Sequence, residues 1–375
     1  MKTGIHIVSI VLLCLAGHGC TNDLVDTDTY DATPPPEAAP KRWRILYYGW
    51  DENELARYIA GDIAEIASIG FSDNEYHCIV VRASMLRNGE VEVIRDGVVT
   101  TSPIDAATGV DANRSLYTAS DVAGLRRWIV QQFPAERELV ILAGHGRGWR
   151  GIGSVVGEET TFLVAGDIPA LLHDPAAAIG SAVVVFDVGY TPAELLVELP
   201  VSVGSLVATN GPRHASGLDF AEVEANDVAA STTELFLRTA GNDGYVLTGD
   251  QIASLPETIA SVGVALSGAI TSRSVQDSLQ NTLLTECRVP SLPGDAYVTL
   301  DEVCSSITFT LPGIPSAVPL CLVHLDELGL PDGHDPDYRR DSDETTLSPG
   351  FREIPWSPDL LRREGALFDL WYREF

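Results

Sequence analysis

Gly144-His145-Gly146 follows directly on the apolar run Glu138-Leu139-Val140-Ile141-Leu142-Ala143. A second run, Ala182-Val183-Val184-Val185-Phe186, ends in Asp187-Val188-Gly189-Tyr190. Both runs read as buried strands of a parallel sheet. Polar groups at the C-terminal ends of such strands stand where α/β proteins place their chemistry. The two strand ends could together carry a base and a nucleophile. His145 supplies the imidazole. At the second strand end, where the nucleophile is wanted, the residue is Gly189, which has no side chain.

The elements that would position these residues alternate in type. Residues 43–50 read as a first strand. Residues 52–68 carry Leu55, Ile59, Ile63 and Ile66 at helical spacing. Residues 78–81 form a second strand, and 90–100, with Asp96-Gly97 inside, a hairpin. Ser120 is placed to cap a helix carrying Val122, Leu125, Trp128 and Ile129 that stops near Pro134. Residues 138–143 are the third core strand, 162–164 a short peripheral piece, and 167–173 a helix capped by Asp167. Residues 182–186 are the fourth core strand, 192–198 a short helix, and 203–209 the fifth. Apolar strands alternating with amphipathic helices predict an α/β fold, a mostly parallel sheet with helices on both faces. Beyond about residue 230 lie helical stretches at 231–238 and 254–270 and strand-like pieces at 306–310 and 320–324. The acidic 331–346 reads as an exposed loop. Residues 360–375, with Leu361, Leu367, Leu370 and Trp371 at helical spacing, read as a helix docked on the body.

Composition narrows the partners. The 375 residues hold 24 Lys and Arg against 53 Asp and Glu, a net charge of −29. Such a surface repels phosphate backbones and anionic lipid headgroups, so nucleic-acid binding is not expected. The start of the chain reads as a signal rather than as fold. Lys2 precedes an apolar stretch, residues 5–16, and small residues lead to Cys20. This resembles a bacterial lipoprotein signal in which Cys20 is lipidated, so attachment to the membrane would be by the lipid alone. Plain secretion is the alternative. The expected organisation is a signal peptide at 1–20, an acidic and Pro-rich tether at 21–42, a domain at 43–230, and a C-terminal extension of the same fold at 231–375. An exported chain permits disulfides. Cys287, Cys304 and Cys321 lie close enough in sequence for one bridge, while Cys78, in an apolar run, reads as a buried thiol. No cysteine pair has zinc spacing, and His324 and His334 with Asp335 and Asp337 make only a weak cation candidate. Neither a metal nor a cofactor is expected.

A wider pattern joins these pieces. The order is a strand, Gly144-His145-Gly146-Arg147-Gly148-Trp149, about forty residues, then a strand and Phe186-Asp187-Val188-Gly189-Tyr190. It resembles the clostripain-like cysteine peptidases, which have a caspase-like fold. Trp43-Arg44-Ile45-Leu46-Tyr47-Tyr48, Leu125-Arg126-Arg127-Trp128 with Phe133-Pro134-Ala135, and Val207-Ala208-Thr209-Asn210 with Gly217-Leu218-Asp219-Phe220 stand where that family has its corresponding elements. The resemblance covers residues 43–225 and implies a caspase-like sheet plus a mixed C-terminal region. It implies the general base at His145 and the substrate-contacting acid at Asp187. It implies close approach of a substrate backbone at Gly144 and Gly146, and the nucleophile at position 189. The family's activity is that of a cysteine endopeptidase cutting after Arg or Lys. With Gly189 in the thiol's place, the resemblance implies a pseudopeptidase. Such a protein would be tethered to the outer membrane or cell surface, or else secreted or periplasmic. It would bind basic peptides or a protein partner.

Plainer readings stand beside these. His145 is equally a turn residue, Asp187 equally a cap for the helix that follows, and the glycines equally turn formers. Thr191 and Ser181 are the hydroxyls near enough in sequence to replace the thiol, but a shift of two residues moves a side chain several ångströms, and about 1 Å can already cost a hundredfold in rate. An active peptidase with another nucleophile, and a structural or adhesive lipoprotein, are the alternatives.

Overall fold

The computed structural model describes residues 39–324, apart from the stretches 51–54, 84–89, 105–118, 147–150, 157–158, 164–166, 173–181, 200–202, 212–216 and 283–294 and single or paired positions between them. The signal and lipidation readings around Cys20, the loop at 331–346 and the helix at 360–375 lie outside the described residues.

The first strand, β1 (Lys41–Trp50), sits in the middle of the sheet. Its side chains alternate between two faces. Trp43, Ile45 and Tyr47 enter one core, and Leu46, Tyr48 and Trp50 enter the other. Burial on both faces marks a strand covered by helices on each side. β2 (Tyr76–Ala83) and β5 (Ala135–Gly146) flank it, both parallel. Outside β5 come β8 (Ala182–Val188) and β9 (Val203–Thr209), again parallel. Antiparallel strands close the edges. The hairpin β3 (Glu90–Arg95) and β4 (Val98–Pro103) follows β2, turning at Asp96 and Gly97, both with positive φ. β10 (Gly244–Thr248) pairs with β9 on the far side. The order is β10-β9-β8-β5-β1-β2-β3-β4, with β6 (Ile152–Val156) and β7 (Glu159–Leu163) forming a hairpin off the end of β5.

On one face, helix α1 (Ala56–Ser68) buries Ile59, Ile63 and Ile66, the stripe that its spacing predicts. The same face buries Asp62, whose carboxylate accepts a hydrogen bond from the Tyr47 hydroxyl at 2.6 Å. On the other face, α2 (Ala119–Gln132) buries Val122, Leu125 and Ile129. It stops two residues before Pro134, a residue that disfavours helix on its N-terminal side. α2 begins at Ala119, so Ser120 lies within its first turn rather than at the cap. Short helices α3 (Pro169–Leu172) and α4 (Ala193–Leu196) precede α5 (Val228–Ala240) and α6 (Gly249–Ala269). α5 ends at Gly241, whose φ of +60° suits glycine.

One strand expectation is corrected. The piece at 306–310 is no strand. Helix α7 (Leu300–Ser306) runs into it, and the chain then turns through Thr308 at φ +57°. The cause is a capping box: the Thr299 side chain accepts from the Glu302 amide while the Glu302 carboxylate accepts from the Thr299 amide. The short peripheral piece expected at 162–164 is where β7 ends, in the hairpin that lies off the main sheet. Further strands stand where the sequence pattern was silent. β11 (Asp295–Thr299) pairs with β12 (Pro319–His324), the strand expected at 320–324, and β10 extends the main sheet from beyond residue 230.

Candidate functional site

Pairing register brings the two strand ends level. In β5 and β8, Ala143 pairs with Asp187 and Gly144 with Val188. One further step puts His145 beside Gly189, the first residue past β8. His145 still belongs to β5, because its far side pairs with Gly153 of β6. The β6–β7 hairpin therefore extends β5 beyond the sheet edge and holds the histidine's backbone in extended form. Alternation puts His145 on the face of Ala143, and Asp187 on the matching face of Val185. His145 is half-buried and Asp187 is 4% exposed; both are engaged by neighbouring groups.

The contact between the two ends is backbone to backbone. A Cβ built on Gly146 would fall on the Gly189 carbonyl, 2.7 Å from its carbon and 3.0 Å from the Gly189 nitrogen. Only glycine fits at 146 without moving the strand end. Gly144 is less constrained: its Cβ would lie 3.2 Å from the Trp50 Cβ and 3.4 Å from Ile152. Trp50, at the end of β1, thus packs under the Gly-His-Gly end of β5.

Thr191, the hydroxyl closest in sequence after position 189, is tied down. It is fully buried. Its amide donates to the Thr209 carbonyl at 3.0 Å, its hydroxyl lies 3.4 Å from the Val188 carbonyl, and its own carbonyl accepts from the Tyr245 hydroxyl. These bonds stitch the exit of β8 to β9 and β10. The Thr209 hydroxyl accepts from the Gly211 amide at 3.0 Å, and the Asn210 amide donates to the Asp243 carbonyl at 2.9 Å.

The two described free thiols, Cys78 and Cys304, belong to other elements. Cys78 pairs with Ile45 and Ile94 in the middle of the sheet, and burial raises its thiol to about 12. Cys304, in α7, is a free buried thiol raised to about 11 by burial and by the nearby Asp301 charge. The bridge expected among Cys287, Cys304 and Cys321 therefore does not use Cys304. Buried thiols held in the protonated form are poor nucleophiles. Arg147, Gly148, Ser181, Tyr190, His173, His214, His334, Asp335 and Asp337 lie outside the described residues. Among the described residues no cluster of three His, Cys, Asp or Glu side chains could hold a metal ion, and no helix is long and apolar enough to cross a membrane.

Sequence reasoning missed a buried ionic cluster. Arg44 of β1 pairs in register with Glu138 of β5, and Arg126 reaches down from α2. Arg44 Nε donates to Glu138 Oε1 at 2.5 Å, and Arg126 grips both carboxylate oxygens at 2.6 and 2.5 Å. Arg44 also donates to the Phe133 carbonyl at 2.8 Å, the last turn of α2. All three residues are at most 1% exposed. Burial alone would raise the Glu138 carboxyl, but the charges and hydrogen bonds of Arg126 and Arg44 outweigh it and hold it below its usual range. The signal was available: Arg44 and Glu138 are charges inside otherwise apolar strands, and Arg126 is one on the apolar side of a helix. The cluster lies toward the strand N-termini, so it fixes β1, β5 and α2 relative to one another rather than lining the His145 end.

No protein-family model matches the chain, and no curated protein does. Among solved structures, it is similar to a secreted C11 cysteine protease from Bacteroides thetaiotaomicron in complex with an irreversible peptide inhibitor. The TM-score is 0.51 at 16% identity, covering 74% of this chain and 80% of that one. It is also similar to an inactive zymogen C11 protease from Parabacteroides distasonis, with TM-score 0.50 at 14% identity over 71% of this chain and 77% of that one. The sheet order and the helices on both faces agree with that likeness. The chain therefore has the caspase-like α/β fold of the C11, clostripain-like cysteine proteases.

Proposed function

We propose that this chain is an exported clostripain-like pseudopeptidase, a protein that holds peptides or a protein partner in a peptidase-type cleft without cutting them. The observation that carries the reading is the juxtaposition of the His145 end of β5 with Gly189. A base stands level with a position that offers no nucleophile. Thr191 does not fill the gap, since its hydroxyl is buried against the Val188 carbonyl. The retained Asp187 at the same edge suits a basic side chain. The Bacteroides thetaiotaomicron C11 protease that shares the fold is secreted, and the signal-like start with Cys20 suits export and lipid anchoring.

The test is hydrolysis of fluorogenic peptides ending in Arg or Lys, alongside binding of the same peptides by fluorescence anisotropy. The native chain is expected to bind without cleaving. Gly189→Cys is expected to gain cleavage that Gly189→Cys/His145→Ala loses. Cleavage by the native chain that disappears in His145→Ala overturns the reading. Absence of binding in the native chain overturns its peptide-holding part.

A further inference from the structure

Strand β4 ends the sheet and buries none of its side chains. Val98 is 64% exposed and Val99 38%. Packing does not hold β4 in strand form; its pairing with β3 does. The opposite edge differs, since β10 buries Tyr245 and Leu247. Natural sheets guard an open edge with charges, prolines or bulges, because its unpaired N–H and C=O groups accept another strand. β4 carries no charge, its residues 98–101 are all β-branched, and its proline, Pro103, comes last. The acidic residues of the neighbouring β3, Glu90 and Glu92, lie 3.7 and 3.6 Å from Arg82, which offsets their charge.

The hairpin turn fixes which backbone groups point outward. Asp96 and Gly97 have φ of +47° and +75°, the two-residue turn that closes on a hydrogen-bonded pair, here Arg95 with Val98. Alternation from that pair turns the N–H and C=O of Val98, Thr100 and Ser102 toward β3. Those of Val99 and Thr101, and the Pro103 carbonyl, face the open edge. Pro103 agrees with this phase, because its missing N–H falls on the solvent side, where proline is tolerated.

We propose that this edge pairs with β4 of a second copy, antiparallel about a two-fold axis at Thr100. In that register Val99 of each chain faces Thr101 of the other, and each such pair exchanges both of its hydrogen bonds. Every outward N–H of β4 is then used. Thr100 meets its own counterpart, a favourable cross-strand pair, and Val98 meets Ser102. An axis at Thr101 would set the Pro103 ring, in place of an N–H, against the Val99 carbonyl. An axis at Val99 would leave Thr101 facing the turn. The edge is thus self-complementary in one register, which points to a copy of this chain rather than to an unrelated strand. Pairing so short a strand stays well below the roughly 800 Å² per partner of a standard interface, so the dimer is a weak one. The net charge of −29 per chain opposes it at low salt, and charges more than about 8 Å apart are screened at physiological salt. This inference does not depend on the pseudopeptidase reading.

Sedimentation equilibrium of the full chain, over a range of concentration and salt, tests it. A monomer–dimer equilibrium is expected, and raising NaCl from about 0.05 M to about 0.5 M should strengthen it several-fold. Thr100→Lys sets two cations against each other on the axis and should weaken the dimer several-fold. An equal mixture of Thr100→Lys with Thr100→Glu should restore association as a heterodimer. Thr101→Pro removes an outward N–H and no bond to β3, so it should give a monomer whose urea midpoint stays close to that of the native chain. A chain that is monomeric at every concentration and salt overturns the proposal. So does a dimer indifferent to Thr100→Lys and Thr101→Pro, which would use another surface, or a Lys and Glu mixture no more associated than either variant alone.

Discussion

Gly146 and Gly189 meet backbone against backbone, the first at the end of β5 and the second just past β8. The contact sets the spacing between the histidine-bearing strand end and the position that faces it. An added methyl at 146 has no soft neighbour to displace, only a peptide carbonyl.

Gly146→Ala should therefore be the costlier of two paired substitutions. Overpacking against backbone costs about 1–3 kcal/mol. Gly144→Ala meets side-chain atoms of Trp50 and Ile152 at 3.2 Å and beyond, which can give by a few tenths of an ångström. Thermal denaturation of the two variants should rank Gly146→Ala below Gly144→Ala. The reverse order would mean that the strand ends are not in contact.

Removing the carboxylate from the buried ionic cluster should be severe. Glu138→Gln leaves Arg44 and Arg126 facing each other in a site at most 1% exposed. Breaking a buried pair by losing one partner costs about 3–5 kcal/mol. Replacing all three by apolar residues of similar size, as in Arg44→Met/Arg126→Met/Glu138→Leu, should recover much of the loss, because no charge is then stranded. Urea denaturation midpoints of the single and triple variants measure the difference.

Stability should fall on mild acidification, and His77 should be one cause. Burial, with Lys41 and Arg44 nearby, lowers its imidazole from 6.5 to about 4. The unfolded chain therefore binds a proton that the folded chain refuses. Stability is complete above about pH 6.5 and declines as pH falls from there toward 4. His77→Gln should flatten the slope of denaturation midpoint against pH in that window. Glu138, held below its usual range, adds a loss at still lower pH, as protonation finally reaches the ionic cluster.

The Cys78 thiol should be inert while the chain is folded. It is 2% exposed and its thiol sits near 12. Site-resolved alkylation at pH 8 should leave Cys78 unmodified in native protein and label it after unfolding in urea. Labelling at native conditions would mean that β1 and β2 open locally.

Removing the hydrogen bond that the Tyr47 hydroxyl donates to the buried Asp62 carboxylate should cost about 1 kcal/mol, the net worth of a typical intramolecular hydrogen bond. Tyr47→Phe tests this in the same denaturation assay, since it removes one hydroxyl and little volume.

Much of this molecule could be read from one chain. The five central strands are apolar on both faces and the helices carry stripes such as Ile59, Ile63 and Ile66, so local period alone marked the α/β sheet. The Gly-His-Gly turn and Gly189 were equally legible, because residue type at a strand end is a local fact. β6, β10 and β11 were not. Each is five residues long and acquires strand character by pairing with a partner, which period does not report. The helix α7 was misread although Thr299 and Glu302 stood at capping-box spacing.

What tertiary structure alone decided is proximity. Gly146 and Gly189 are more than forty residues apart, and only the register between β5 and β8 sets them in contact. The same holds for Arg44, Glu138 and Arg126, three charges whose types were visible but whose mutual neutralisation depends on β1 pairing with β5 under α2. Sequence determines which groups are available and on which element each sits. Which of them share a few cubic ångströms is determined by strand order and register, because those are settled by the packing of the whole core rather than by any local run of residues.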